Sequence, residues 1–323
     1  MMANKIKVGI TQGDPAGIGP EIVAMILDDP RMAELCTPVV YKYSGEFEPG
    51  VPTPESGAAA VKMLRDAAAD LHAGKIDVLV TAPISKENAR SDSWTYGGHT
   101  EWLAAEFGGK ESAPVMIMCS DSLRVALVTA HMALADVPGA ISKEKIVEKL
   151  RTLSRTLTRD FGIVAPRIAV LALNPHAGEG GMMGTDEIEV IRPAVEEAWA
   201  EGILAFGPMA ADGLFLSGGH TKYDALLAMY HDQGLAPFKA IAPDGVNFTA
   251  GLPVVRTSPD HGTAFDIAGR GEANPDSMRN AIYTAIDIFR NRAAYAEMSK
   301  NPLKHYEREK GDERTIDLSK NEI

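Results

Sequence analysis

The stretch Leu173-Asn-Pro-His-Ala-Gly-Glu-Gly-Gly-Met-Met-Gly184 stands between two unlike neighbours. An aliphatic run over residues 167–173 enters it, and the helix start Thr185-Asp-Glu leaves it. Between them lie one imidazole (His176), one carboxylate (Glu179) and several glycines that bare backbone amides. A strand feeding such a loop and then a helix is the signature of an α/β protein. In α/β sheets these loops lie at the carboxyl ends of strands, where ligands collect.

Working outward, the same alternation recurs. Residues 6–11, 37–43 and 76–83 read as strands, with a short helix toward Asp28 and a longer one over residues 55–72 that is apolar on one face. Residues 115–119 and 123–129 flank Ser-Asp-Ser, which predicts a hairpin and therefore one antiparallel pair in an otherwise parallel pattern. Helices are expected over residues 142–159, 186–201 and 278–294, and further strands over 224–229 and 253–257. Lys239 falls in a loop expected after His231, and Asn247 in a Gly-Val-Asn-Phe-Thr turn. From Lys300 the chain reads as a charged, solvated tail. The expected fold class is α/β, a mostly parallel sheet flanked by helices with some antiparallel strands.

The composition narrows the function classes. With 323 residues the chain is long enough for one large or two intimate α/β units. A net charge of −12 and a pI near 5.2 offer no basic face to nucleic acid or an anionic membrane. An anionic small substrate stays open, because a pocket can be positive within an acidic whole. Cys36 and Cys119 are far apart and form no CxxC motif, as expected for two reduced, buried thiols. Residues 1–7 run straight into the first expected strand, so no signal peptide is expected, and no apolar run reaches the roughly 18 residues of a membrane span. The cytoplasm is the expected compartment.

Three histidines share one property. His131 (Leu-Val-Thr-Ala-His), His176 (Leu-Asn-Pro-His) and His231 (Ala-Met-Tyr-His-Asp) each lie just past a predicted strand. Strand ends on one sheet edge converge, so these imidazoles suit a catalytic divalent metal with an open coordination position. Asp136 and Asp232 are carboxylates near enough in sequence to orient a ring. The competing reading is three hydrogen-bonded structural histidines. Lys239, Asn247 and Arg256 supply a point charge, an amide and a bidentate fork that suit a phosphate, or else are ordinary surface residues. Gly97-Gly-His-Thr100 feeds a helix start, where His99 and Thr100 make either an anion seat or a simple cap. Gly13, Gly17 and Gly19 miss the Rossmann spacing, and no Walker lysine follows.

The run His261-Gly-Thr-Ala-Phe-Asp-Ile-Ala-Gly-Arg-Gly-Glu-Ala-Asn-Pro275 resembles the adenosine-binding loop of the isopropylmalate and isocitrate dehydrogenase superfamily. The resemblance implies two interleaved subdomains around a cleft, residues 1–110 with 245–300 on the cofactor side and 111–244 on the metal and dimer side. It also implies NAD held by His261, Gly262, Asp266 and Asn274. Asp266 would accept from the ribose hydroxyls and repel the extra phosphate of NADP.

Four further motifs make the resemblance more specific. Gly13-Asp-Pro-Ala-Gly-Ile-Gly-Pro-Glu21, Gly98-His-Thr-Glu101, Met229-Tyr-His-Asp-Gln-Gly234 and Arg256-Thr-Ser-Pro-Asp-His-Gly-Thr-Ala264 join the opening stretch. With them, the chain from Lys7 to Arg292 resembles the 4-hydroxythreonine-4-phosphate dehydrogenase family of pyridoxal phosphate biosynthesis. By that resemblance His131, His176 and His231 bind a divalent metal, zinc first and Mg, Mn or Co otherwise. His99, Thr100, Lys239, Asn247 and Arg256 would bind substrate, and Lys86 is the candidate base. The family's homodimer completes each active site across subunits.

The implied reaction is NAD- and metal-dependent oxidation of 4-phosphooxy-L-threonine to a β-keto acid, which decarboxylates to 3-amino-2-oxopropyl phosphate. A paralogous dehydrogenase of D-threonate or D-erythronate 4-phosphate would share these motifs. A three-histidine metal hydrolase and a non-catalytic phosphate-metabolite binder are the readings from other classes. The chain departs from the family pattern in a much shorter connection between Tyr43 and Glu55, and in a Lys239-to-Asn247 spacing one residue shorter than in some members.

Overall fold

The computed structural model describes residues 5–92, 94–108, 114–216 and 218–302. The charged tail expected from Lys300 lies outside them beyond residue 302. Among the described residues the strands are β1 (Lys7–Thr11), β2 (Thr37–Tyr41), β3 (Val78–Thr81), β4 (Val115–Cys119), β5 (Arg124–Leu127), β6 (Arg167–Leu171), β7 (Leu204–Met209), β8 (Ala225–Ala228), β9 (Val246–Ala250) and β10 (Arg256–Pro259). The helices are α1 (Gly19–Leu27), α2 (Pro30–Leu35), α3 (Pro54–His72), α4 (Lys86–Ala89), α5 (His99–Phe107), α6 (Val137–Ala140), α7 (Lys143–Arg159), α8 (Arg192–Ala200), α9 (Ala211–Leu216), α10 (His231–Ile241) and α11 (Asp276–Met298). No helix among the described residues is long and apolar enough to cross a membrane.

All ten strands join one sheet in the order β2-β1-β3-β10-β9-β4-β5-β8-β6-β7. Its two ends are parallel blocks, β2-β1-β3-β10 and β5-β8-β6-β7. Between them the pairs β10–β9, β9–β4 and β4–β5 are antiparallel, so the direction reverses across the middle of the sheet. The expectation of one antiparallel pair is therefore corrected to three. The extra two arise from β9, which the sequence reading took for a turn. Val246-Asn-Phe-Thr-Ala250 alternates apolar and polar, which is the period of a half-buried strand. The last strand is likewise displaced, running over Arg256–Pro259 rather than residues 253–257.

Lys239 also moves, from an expected loop into α10, a helix that tolerates Pro237 in its interior. Gly234 and Pro237 read as breakers, but tertiary packing overrides them. Leu235 and Phe238 are buried against β5 and β8. A Cβ at Gly234 would stand 2.7 Å from Val125 Cγ1 and 2.9 Å from Ala228 Cβ, so the glycine permits the close approach. Strand β7 and helix α9 had no counterpart in the sequence reading. The helix expected over residues 186–201 begins instead with a π-turn at Glu187–Ile191.

Packing explains where a site can form. One face of the sheet carries a continuous apolar cluster that includes Val8, Ile10, Ile117 and Phe248 together with residues of α1, α7, α8 and α11. The other face carries two separate clusters. Leu79, Trp94, Trp102 and Leu103 pack with α3 and α5 at one end, and Val125, Leu127, Leu226 and Phe238 pack with α9 and α10 at the other. The stretch of β10, β9 and β4 between those clusters is left as the floor of a cleft.

Candidate active site

The two-residue period of the strands sets that floor. Register pairs Thr257 with Phe248, and Phe248 with Ile117, on the apolar side. Arg256 and Ser258, Asn247 and Thr249, and Met116 and Met118 therefore stand on the opposite face. A cavity of about 420 Å³ lies there, lined by Arg256, Ser258, Asn247, Met116 and Met118 and by Thr81 at the end of β3. Arg256 is 2% exposed. Its Nε and Nη2 donate to Thr81 Oγ1 at 3.1 and 2.6 Å, and its Nη1 donates to Thr249 Oγ1 at 3.2 Å. Among the described residues no carboxylate pairs with it. Burial alone pushes its pKa down to about 9, although a guanidinium stays protonated across the physiological range. A buried, hydrogen-bonded but uncompensated cation calls for an anionic ligand.

The walls add further donors. Helix α5 has no side-chain cap, so its first-turn amides stay available beside His99 and Thr100. Glu101 instead turns back to accept from Gly97 N at 2.7 Å. His99 titrates well below an ordinary histidine because it is buried and then because Arg256 and Lys86 are close. Its Nε2, Asn247 Oδ1 and His261 Nε2 are buried with no partner among the described residues, and all three residues line this cavity. Buried polar atoms are rarely left unpaired, so these are candidate contacts for a ligand. Lys239 Nζ reaches Asp260 Oδ1 at 3.0 Å, which poises the ammonium at the rim. Lys86 opens α4 under the Ser85 cap and lines the same cavity.

Two of the three strand-end histidines meet here. His131 and His231 both line the cavity, their rings 5.8 Å apart between centroids. Partial desolvation and the neighbouring Lys86 and His231 charges lower the His131 pKa. His231 Nδ1 lies 2.7 Å from Asp232 Oδ1, the kind of contact that fixes a tautomer and frees the other nitrogen. Two imidazoles with a shared opening fit a divalent metal. His176 is elsewhere. It lines a second cavity with Asn174, Phe215, Tyr230, Gln233 and Pro237. Helix α10 separates the two spaces, with Leu235 and Lys239 on the first and Gln233 and Pro237 on the second. Among the described residues no three His, Cys, Asp or Glu side chains come close enough within one chain to hold a metal ion.

The His176 loop has unusual backbone. Residues His176, Ala177, Gly178, Glu179 and Gly180 all have positive φ, from 42 to 74°. For the non-glycine members the left-handed region costs about 1–2 kcal/mol each. Buried Glu187, in the π-turn, accepts Leu173 N at 2.8 Å and Asn174 N at 2.7 Å where the strand enters that turn.

Of the 261–275 run, His261 and Gly262 border the cleft. Asp266 is exposed and outside the cavity, and Asn274 Oδ1 accepts Asp276 N at 2.8 Å, at the start of α11. The loop is tied down from several sides. Ile18 N donates to Thr263 O at 2.9 Å, and Gly269 N donates to Glu21 Oε2 at 2.8 Å. The short Tyr43–Glu55 connection joins in through Gly50 N, which bonds Ala16 O at 2.8 Å. Sequence reasoning missed Thr81, Thr249, Ser258 and Asp260. The alternation in β9 and β10 was the available signal for Thr249 and Ser258; nothing local marked Thr81 or Asp260.

Comparison with known proteins places this geometry. Residues 21–285 match the family model described as pyridoxal phosphate biosynthetic protein PdxA. A 4-hydroxythreonine-4-phosphate dehydrogenase of Bacteroides thetaiotaomicron is 46% identical over 353 aligned positions, covering 97% of each chain. This chain has only 323 residues, so the relative carries residues with no counterpart here. The crystal structure of 4-hydroxythreonine-4-phosphate dehydrogenase from Klebsiella pneumoniae has a TM-score of 0.75 and 34% identity, covering 90% of this chain and 99% of that one. Isocitrate dehydrogenase from Methylococcus capsulatus, at TM-score 0.54 and 14% identity over 91% and 88% of the two chains, shares the fold alone. The chain is an oxidoreductase and belongs to the pyridoxal phosphate biosynthetic PdxA family, the 4-hydroxythreonine-4-phosphate dehydrogenases.

Proposed function

We propose that the cleft oxidises 4-phosphooxy-L-threonine with NAD and a divalent metal, giving a β-keto acid that loses carbon dioxide to leave 3-amino-2-oxopropyl phosphate. The carrying observation is Arg256, a fully buried cation whose side-chain partners among the described residues are threonine hydroxyls, open to the cavity that holds His131 and His231. Arg256, Lys239, Asn247, His99 and Thr100 bind and orient the anionic substrate. Lys239 exchanges its Asp260 contact for the ligand. Fixing the reacting carbon within hydride range is the main demand on such a site. A divalent metal, zinc first among the candidates, would supply Lewis-acid chemistry at the hydroxyl-bearing carbon, and NAD bound in the cleft would serve as the hydride acceptor. Lys86, at the cleft wall, is the residue proposed to receive the hydroxyl proton. The adenosine end of NAD is assigned to the run from His261 and Gly262 through Asp266 to Asn274.

On this reading residues 1–110 with 245–300 serve the cofactor and residues 111–244 the metal and the dimer. His131 and His231 would hold the metal from one chain, and the partner subunit's His176 would complete the set in a homodimer. An exposed apolar band supports that assembly. Met132, Leu134, Met182, Met183 and Leu216 follow β5, β6 and β7, whose carboxyl ends share one edge, and Leu216 is 91% exposed. The test is NAD reduction with 4-phosphooxy-L-threonine against D-threonate and D-erythronate 4-phosphates. Activity on the first that vanishes on metal removal and returns with zinc is expected. A preference for either sugar-acid phosphate overturns the substrate assignment, and full activity without metal overturns the mechanism.

A further inference from the structure

We propose that Glu187 is a positioning residue for metal binding, acting through the backbone to hold His176. The inference rests on reading His176 as a metal ligand. His176 is exposed, yet it sits on the longest run of left-handed backbone among the described residues. A surface histidine without a task needs no such backbone, and strain of this kind persists only where the surroundings enforce it.

The enforcing group is Glu187. Its carboxylate is fully buried and has no cationic partner among the described residues. Oε1 accepts the amides of Leu173 and Asn174, the last residues before Pro175 and His176, and Oε2 accepts Asn174 Nδ2 at 3.1 Å. Asp186 Oδ2 shares that Nδ2 at 2.9 Å. The turn closes onto the same group. A Cβ at Gly178 would lie 2.6 Å from Glu187 Oε2 and 2.9 Å from Gly184 O, so the loop backbone is pressed against the carboxylate. The π-turn that carries Glu187 adds one residue to the helix start; such bulges concentrate at functional sites. Glu187 therefore does for His176, through backbone amides, what Asp232 does for His231 through the ring nitrogen.

Three variants of the full-length protein test this: Glu187→Ala, Glu187→Gln and His176→Ala. Glutamine keeps an oxygen for the two amides, whereas alanine removes it. Amide exchange at Leu173 and Asn174 in metal-free protein should accelerate at least tenfold in Glu187→Ala and stay near wild type in Glu187→Gln. Titration with cobalt(II) ion alone, followed by its visible bands, should show about a ten- to hundredfold weaker affinity in Glu187→Ala, with Glu187→Gln close to wild type. His176→Ala should weaken cobalt at least as much. If His176→Ala binds cobalt like wild type, the metal reading of His176 fails and takes the proposal with it. If His176→Ala weakens cobalt but Glu187→Ala does not, the proposal alone is overturned. Unchanged exchange in Glu187→Ala also overturns it.

Discussion

Arg256→Met removes one of the largest fully buried side chains in the protein, and its effect on stability should be small. Breaking an ordinary buried ion pair costs about 3–5 kcal/mol because a partner charge is stranded. Arg256 strands none, since its partners are the hydroxyls of Thr81 and Thr249. Its hydrogen bonds contribute roughly 1.5–3 kcal/mol each as charged bonds, and the desolvation they oppose amounts to several kcal/mol. The two nearly offset, and methionine fills the space, so the change in unfolding free energy should stay within about 2 kcal/mol.

The pH sign agrees with this balance. A base whose folded pKa lies below its unfolded value costs stability at every pH below the folded value. Arg256, pushed down to about 9, therefore carries its full cost throughout the working range. Ligand binding relieves the cost. Loss of a buried charge contact to the phosphate should weaken substrate by about 2–5 kcal/mol, thirty- to several-thousandfold in affinity. Urea unfolding with and without the phosphorylated substrate measures both quantities. Wild type should gain about 2.7 kcal/mol at a hundredfold excess over its dissociation constant, and the variant no more than about 0.9 kcal/mol at the same concentration. A variant destabilised by more than about 4 kcal/mol with unchanged substrate binding would refute the uncompensated-cation argument.

Other consequences are equally direct. Gly234→Ala should cost about 1–3 kcal/mol in urea unfolding, because its methyl meets Val125 and Ala228. Cys36 and Cys119 should resist a disulfide reagent in the native protein and react fully in denaturant, since burial raises both thiols, Cys119 to about 12. Asp29 accepts from the Arg31 backbone and guanidinium, which lowers its pKa to about 2. That contribution to stability is present above 3.8, the unfolded value, and is lost as pH falls through about 2; in Arg31→Ala the carboxyl titration followed by NMR should return toward 3.8.

The α/β class and most of the cleft's polar side chains were legible in the sequence because they sit next to strong local signals. His131 and His231 directly follow apolar runs, and Gly98-His-Thr precedes an evident helix. Asn247 and Lys239 were recognised as residues but misplaced in structure. A short strand that alternates polar and apolar beside a Gly-rich turn resembles a turn, and a helix containing Gly234 and Pro237 resembles a loop until its packing is known. Thr81 and Asp260 were invisible because their roles arise from contacts across the sheet and with α10. The position of His176 was not legible either. Three strand ends on one edge imply convergence, but the left-handed turn held by Glu187 carries His176 to the far side of α10, a result of backbone geometry that composition does not encode.

The claim that the cleft is completed by a second copy of the chain is tested most directly by pairing His131→Ala with His176→Ala. Each variant alone should be inactive. Co-expressed at equal levels, half of the dimers should be mixed, and in each of these one of the two sites keeps both histidines from different subunits. About a quarter of wild-type activity should therefore return. No recovery in dimers verified to be mixed would contradict a shared site and place the third metal ligand within a single chain.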